Sequence, residues 1–260
     1  MGHSPSIPNE ATQTVRILRE QFAGTLEAVY LHGSAVAGGL WPDSDVDVLA
    51  VASRPMTRAA GIRLRDTMLQ ISGYPRGGGL RPIELIVFTS DGLAAAPYPA
   101  RCEFLYGEWL RGSFEAGETP QPVCDPELTL VLAQAREDAF SLFGPSVCSL
   151  LPLIPQTDVR RALGDMLPTL CASLEGDKRN VLLTLARMWR TATEGDFVSK
   201  DAAATWAAAR LREEQATVLL KARDAYLGLQ KDKWSARRDE VQRTVEFLRE
   251  SAASALALTL

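Results

Sequence analysis

The chain has 260 residues, 46% hydrophobic and 23% charged, with a net charge of −4. That length can bury a sizeable core in one large or two smaller domains, and the acidic balance disfavours a nucleic-acid surface. No apolar run reaches the roughly 18 residues needed to span a bilayer.

Four cysteines without a C-x-x-C pair read as cytosolic thiols. With only His3 and His32 present, neither a His-rich zinc site nor a Ser-His-Asp triad is expected, so the chemistry falls to carboxylates. Met1-Gly-His-Ser-Pro5 lacks a basic start and an apolar core, so no signal peptide and a cytoplasmic location are expected.

In chain order, Val15, Leu18 and Phe22 give residues 9–22 a helical spacing. Leu26-Glu-Ala-Val-Tyr-Leu-His32 reads as a strand, a small-residue turn follows from Gly33, and Val46-Asp-Val-Leu-Ala-Val51 reads as the next strand. Thr57 is placed to cap a helix reaching about Ile71, with Leu64, Met68 and Ile71 on one face and Gly73 beyond its end. Pro75-Arg-Gly-Gly-Gly79 is a loop without the Gly-Lys-Ser/Thr ending of a P-loop. Ile83-Glu-Leu-Ile-Val-Phe88 is a third strand, and residues 101–109 are strand-like or irregular.

Asp125-Pro126 marks a helix start, with proline at the first helical position, and this helix is expected to run to about Phe143. The Gly, Pro and Ser content of residues 144–155 marks a domain boundary, giving domains 1–155 and 156–260. Beyond it, residues 157–173, 178–193, 199–211, 213–227 and 233–256 all have helical periodicity. The expected architecture is an α/β domain followed by a helix bundle.

The chemistry concentrates at Gly33-Ser34 and at Ser44-Asp45-Val46-Asp47. Alternate strand residues share a face, so Asp45 and Asp47 stand side by side. Their mutual repulsion is relieved by a hard divalent cation, while a Gly-Ser turn offers amides and a hydroxyl to phosphate. Glu84 is the odd residue in an apolar strand, where a carboxylate carries a desolvation penalty unless a cation or a solvent cleft compensates. These parts suit Mg-dependent nucleotidyl transfer. Plainer roles exist for each: turn serines, a strand-start Asp pair, and an edge-strand Glu facing water.

Gly-Ser followed by Asp-x-Asp and a later acidic strand residue is similar to the nucleotidyltransferase superfamily. Within it the chain resembles the bacterial aminoglycoside adenylyltransferases that modify spectinomycin and streptomycin. The likeness runs almost end to end, through Leu31-His-Gly-Ser-Ala-Val36, Glu103-Phe-Leu-Tyr-Gly-Glu-Trp-Leu110, Gly176-Asp-Lys-Arg-Asn180 and Leu183-Thr-Leu-Ala-Arg-Met-Trp189. The resemblance implies a mixed sheet with flanking helices, then a helical domain completing the ATP and drug sites. It implies that Asp45, Asp47 and Glu84 hold two Mg²⁺ ions, and that Glu84 is the base taking the drug hydroxyl's proton.

By the same resemblance Ser34, Ser44, Glu127, Arg187, Lys200 and Tyr226 bind ATP, and Trp109 and Asp177 contact the drug. Asp177 could equally cap a helix, and Trp109 could be core. The partners are then ATP and a small antibiotic, with no nucleic acid or membrane, and the chain is expected to act as a monomer.

Family members that also accept streptomycin carry a Trp, and an Asp five residues later, where this chain has Pro168 and Ser173. Gln134-Ala-Arg136, Ser141-Leu-Phe-Gly-Pro145 and Asp158-Val-Arg-Arg-Ala162 also resemble the spectinomycin-specific 9-adenylyltransferases. The expectation is therefore spectinomycin alone. The alternatives are an enzyme also acting on the streptomycin 3''-hydroxyl, a nucleotide-binding regulator that has lost catalysis, and a polynucleotide or tRNA nucleotidyltransferase.

Overall fold

The central sheet grows from the three apolar runs. In the computed structural model, which describes residues 6–74, 79–234 and 237–258, α1 (Asn9–Gln21) leads into β1 (Leu26–His32), a 3-10 turn (Gly33–Ala35), β2 (Val46–Ala52), α2 (Arg58–Ile71) and β3 (Ile83–Thr89). There follow α3 (Ser90–Ala95), β4 (Arg101–Cys102), β5 (Phe104–Tyr106), a second 3-10 turn (Glu108–Leu110), α4 (Arg111–Glu115) and β6 (Val123–Cys124). The first half closes with α5 (Pro126–Asp138), β7 (Phe140–Phe143) and α6 (Val147–Leu150). The chain divides into two compact units, Met1–Ile154 and Pro155–Leu260. The glycine-rich loop expected at residues 75–79 falls mostly on residues outside those described.

Among the described residues the first unit holds a five-stranded mixed sheet, in the order β5-β3-β2-β1-β7, and a two-stranded sheet of β4 and β6. Only β2 and β3 run parallel within the larger sheet. Alternation divides the sheet's apolar residues between two faces. Val29, Leu31, Val48, Ala50, Leu85 and Val87 pack with Leu18 of α1 and with Leu64 and Met68 of α2. Ala28, Tyr30, Leu49, Val51, Ile86 and Phe88 pack with Leu128, Leu132 and Ala135 of α5. Each large apolar side chain buried this way contributes roughly 1.5–3 kcal/mol relative to exposure.

The helix starts follow their capping residues. The Thr57 hydroxyl accepts from the Ala60 amide at 3.2 Å, and the Asp125 carboxylate accepts from the Glu127 amide at 2.8 Å with Pro126 in the first turn. One expected boundary is corrected: α5 ends at Asp138 rather than near Phe143. Residues 140–143 instead form β7, an edge strand whose Phe140, Ser141 and Phe143 pair with Leu31, Tyr30 and Val29 of β1. Long-range pairing overrides the local helical spacing there.

The second unit is helical: α7 (Gln156–Ala172), α8 (Lys178–Glu194), α9 (Lys200–Ala208), α10 (Glu213–Tyr226) and α11 (Arg238–Ala257). Helix α8 touches the other four and buries Val181, Leu182, Leu183, Leu185, Ala186 and Met188. Helix α11 starts at Arg238, later than the periodicity from Lys233 suggests. Arg160 of α7 ties two helix ends together, donating to the carbonyls of Ala192, Ala255, Leu256 and Leu258 at 2.6–3.1 Å. Cationic donors on the last carbonyls of a helix satisfy groups that lack intrahelical partners. No described helix is long and apolar enough to cross a membrane.

Candidate active site

Strands β2 and β3 have the same burial pattern: every position is buried except the second. Those second positions are Asp47 and Glu84, and they are direct register partners in the parallel pair. Neighbouring strands lie about 4.8 Å apart, so two carboxylates stand side by side, half-buried, at the starts of both strands. On the other side of Asp47 its antiparallel partner is His32, the last residue of β1. By alternation all three share the face that α5 covers further along the sheet. Asp45, two residues ahead of Asp47, is also half-buried.

The small-residue turn closes against this row. Gly33 has φ +65°, in the left-handed region that glycine enters without a steric penalty. A methyl group at Gly33 would lie 1.9 Å from the Asp47 Oδ2. The missing side chain therefore lets the carboxylate settle directly onto the turn that carries Ser34. Val36 and Ala37 amides fold back onto the Gly33 carbonyl at 3.2 and 3.0 Å, and the Gly39 amide donates to the Ser34 carbonyl at 3.0 Å.

Ser44 is buried, and its hydroxyl accepts from the Trp41 amide at 3.1 Å. Local use as a turn acceptor leaves a hydroxyl proton for a further partner. Arg81, which sequence reasoning did not single out, pins this loop from β3's approach. Its guanidinium donates to the Trp41 and Ser44 carbonyls at 2.7 and 3.0 Å, fixing the backbone that delivers Asp45.

His32 ends β1 as a buried side chain whose Nε2 has no hydrogen-bond partner. Burial disfavours its charged form and pushes the pKa down to about 4, so the imidazole is neutral near pH 7. Glu127 lies exposed in the first turn of α5. Trp109 stands on the second 3-10 turn, 59% exposed, so it is not a core residue. A Cβ at Gly107 would meet its ring at 2.1 Å, so this glycine seats the indole.

Next to Trp109 in the chain, Glu108 belongs to a buried polar cluster that the sequence does not announce. Glu108 accepts from both Arg111 and the Tyr106 hydroxyl, and from the Ser72 hydroxyl as well. Burial on its own would raise the Glu108 pKa, but the hydrogen bonds from Arg111 and Ser72 outweigh it, and the net shift is downward. The carboxylate is thus held ionised.

In the second unit, Asp177 caps α8, accepting from the Asn180 amide at 3.3 Å, and it is exposed. Lys200 opens α9, and its Nζ donates to Asn180 Oδ1 at 2.7 Å while lying 6.0 Å from the centre of the Tyr226 ring. Lys200 and Tyr226 are thereby brought together. Asn180, Thr184 and Arg187 follow helical spacing on one face of α8, and Thr184 also donates to Asn180 at 3.4 Å. Asn180 thus ties Lys200 to the α8 face that carries Arg187, a link that was hidden in the Gly176–Asn180 block. Pro168 lies exposed within α7, and Ser173 ends that helix with its hydroxyl on the Leu170 carbonyl at 2.8 Å. Neither offers an aromatic ring or a charge.

Among the described residues no three His, Cys, Asp or Glu side chains form a ready-made metal cage. Mg²⁺ is characteristically bound by one or two carboxylates together with substrate phosphates and water. The all-oxygen donor set, the in-register Asp47–Glu84 pair and the close seat at Gly33 fit a cation that arrives with a nucleotide.

A family model described as "Aminoglycoside adenylyltransferase, C-terminal domain" matches residues 149–251. The spectinomycin 9-adenylyltransferase of Staphylococcus aureus is 44% identical over 251 residues, covering 96% of this chain and 96% of its own. The aminoglycoside (3'') (9) adenylyltransferase of Escherichia coli is 35% identical over 247 residues, covering 94% of each. A crystal structure of spectinomycin adenyltransferase from Enterococcus faecialis, with ATP and spectinomycin, has a TM-score of 0.89 at 32% identity. The match covers 94% of this chain and 98% of that one.

Proposed function

We propose that this chain, which belongs to the aminoglycoside adenylyltransferase family, transfers AMP from ATP to the 9-hydroxyl of spectinomycin and so confers resistance to that antibiotic. The observation that carries the mechanism is the half-buried Asp47–Glu84 pair, in register on parallel strands and closed over by the Gly33-Ser34 turn.

In this reading Asp45, Asp47 and Glu84 hold two Mg²⁺ ions. When bound, these neutralise charge on the triphosphate and its transition state. Glu84 takes the proton from the drug hydroxyl. The hydroxyl oxygen bonds to the α-phosphorus in line as the bond to the bridging oxygen breaks, and pyrophosphate leaves. Ser34 and Ser44 bind the triphosphate, while Glu127, Arg187, Lys200 and Tyr226 complete nucleotide binding. Lys200 suits this role because its ammonium is already steered by Asn180 toward Tyr226. Trp109 offers an exposed ring to the drug, and Asp177 offers a carboxylate to its cationic amines. Asp177 does this while capping α8 through one oxygen.

Selectivity follows from what is missing in α7. Pro168 and Ser173 supply neither the aromatic surface nor the charge that a guanidino drug would use. Loss of a charged hydrogen bond costs roughly 1.5–3 kcal/mol, one to two decades in affinity. Greater identity to a relative named for spectinomycin alone than to one named for both positions agrees with this.

The enzyme acts as a monomer in the cytoplasm on ATP and the antibiotic. Expression in a susceptible bacterium tests the reading: protection against spectinomycin but not streptomycin supports it, and no protection from a well-expressed protein refutes it.

A further inference from the structure

We propose that Glu108 is a positioning residue, which fixes the turn presenting Trp109 against the strand carrying Glu84. The inference rests on the roles of Glu84 and Trp109 given above.

The Glu108 side chain is 12% exposed and that of Arg111 9%. Oε2 of Glu108 accepts from Arg111 Nε at 2.5 Å, and Oε1 accepts from Arg111 Nη2 at 3.0 Å and the Tyr106 hydroxyl at 3.1 Å. Oε1 also accepts from the Ser72 hydroxyl. The same Ser72 oxygen accepts from the amide of Ile83, at 3.0 Å, and Ile83 is the residue immediately before Glu84. One carboxylate is therefore two hydrogen bonds from the backbone that delivers Glu84 and one residue from Trp109. Arg111 anchors the cluster further, donating to the Leu69 carbonyl at 3.2 Å and the Ser72 carbonyl at 3.4 Å at the end of α2.

A buried ion pair adds little net stability compared with an apolar replacement, because desolvation offsets its attraction. What it supplies is direction. Bidentate Arg–carboxylate bonds hold their partners in one orientation, which a packed apolar cluster does not enforce. The cluster holds the residue immediately before an exposed tryptophan and reaches the strand start that carries the base. Its directional bonds therefore set the spacing of drug platform and proton acceptor.

Glu108→Gln tests this, since it keeps the shape and both hydroxyl contacts while removing the charge opposite Arg111. The KM for spectinomycin should rise about tenfold or more, the scale on which sub-ångström misplacement acts, while the KM for ATP stays within about twofold. Trp109→Ala alone should also raise the spectinomycin KM, and Glu108→Gln added to it should cost little more, because the first variant acts through Trp109. Additive losses, or an equal rise in both KM values, would overturn the proposal. An unchanged spectinomycin KM in Trp109→Ala would instead remove the drug role of Trp109, and the proposal with it. If Glu108→Gln does not fold, Ser72→Ala removes the hydroxyl that joins Glu108 to the Ile83 amide and leaves the Arg111 and Tyr106 bonds to Glu108 in place. A lower kcat with a retained melting midpoint would then support the proposal, and an unchanged kcat would overturn it.

Discussion

Replacing Gly33 with alanine should separate folding from catalysis in this enzyme. The new methyl would sit 1.9 Å from Asp47 Oδ2, 2.8 Å from Cγ and 3.2 Å from Cβ. All of these are side-chain atoms, so the fold can yield by swinging the Asp47 side chain away. Its oxygen must retreat by about 1.5 Å to reach ordinary van der Waals contact, and misplacement on the 1 Å scale costs about 10²-fold in rate. Alanine at φ +65° adds roughly 1–2 kcal/mol of backbone strain. For a chain of this size that lowers the melting midpoint by about 2–8 °C, leaving the protein folded at 25 °C. Pyrophosphate release with spectinomycin and MgATP, beside a thermal melt, reads both quantities. A kcat within about fivefold of the parent would refute the contact between turn and carboxylate as a functional one. A collapse of the melt by well over 10 °C would show that Asp47 cannot yield.

Glu84→Gln should still bind ATP while transfer falls by about 10²–10⁴-fold, the usual contribution of a general base, because the amide cannot accept the proton. Near-parent turnover would remove Glu84 as the base. Lys200→Ala should weaken ATP binding by about one to two decades, from the loss of a charged hydrogen bond, with the spectinomycin KM little changed. Calorimetry showing unchanged ATP affinity would count against its role at the nucleotide. Arg160→Ala strips four carbonyl contacts from the ends of α8 and α11. Stability should fall by roughly 1–3 kcal/mol with turnover at 25 °C retained, and an unshifted melting midpoint would contradict the clip.

The strands and the acidic row were legible because their signals are local. Short, nearly continuous apolar runs set out β1, β2 and β3, and a lone Glu in such a run stands out as Glu84 does. Helix starts at Arg58 and Pro126 were equally plain, since Thr57 and Asp125 are capping residue types. The run from Phe140 to Phe143 misled because no glycine or proline interrupts it before Gly144. Its strand character comes from pairing with β1, over a hundred residues earlier. The Ser72–Glu108–Arg111 cluster was invisible for the same reason, joining residues 36 positions apart. Asp177 shows a different outcome: its capping role is realised in the geometry, and its proposed drug contact rests on the charge that remains exposed.

Transfer of AMP to spectinomycin is read most directly by mass spectrometry of the drug after incubation with the purified protein and MgATP. One AMP should appear on spectinomycin, at the 9-hydroxyl by NMR, with one pyrophosphate released per drug molecule and streptomycin left unmodified. Asp47→Asn, folded as the parent is, should give no product. Unmodified spectinomycin in the presence of folded, ATP-bound protein would contradict the assigned reaction.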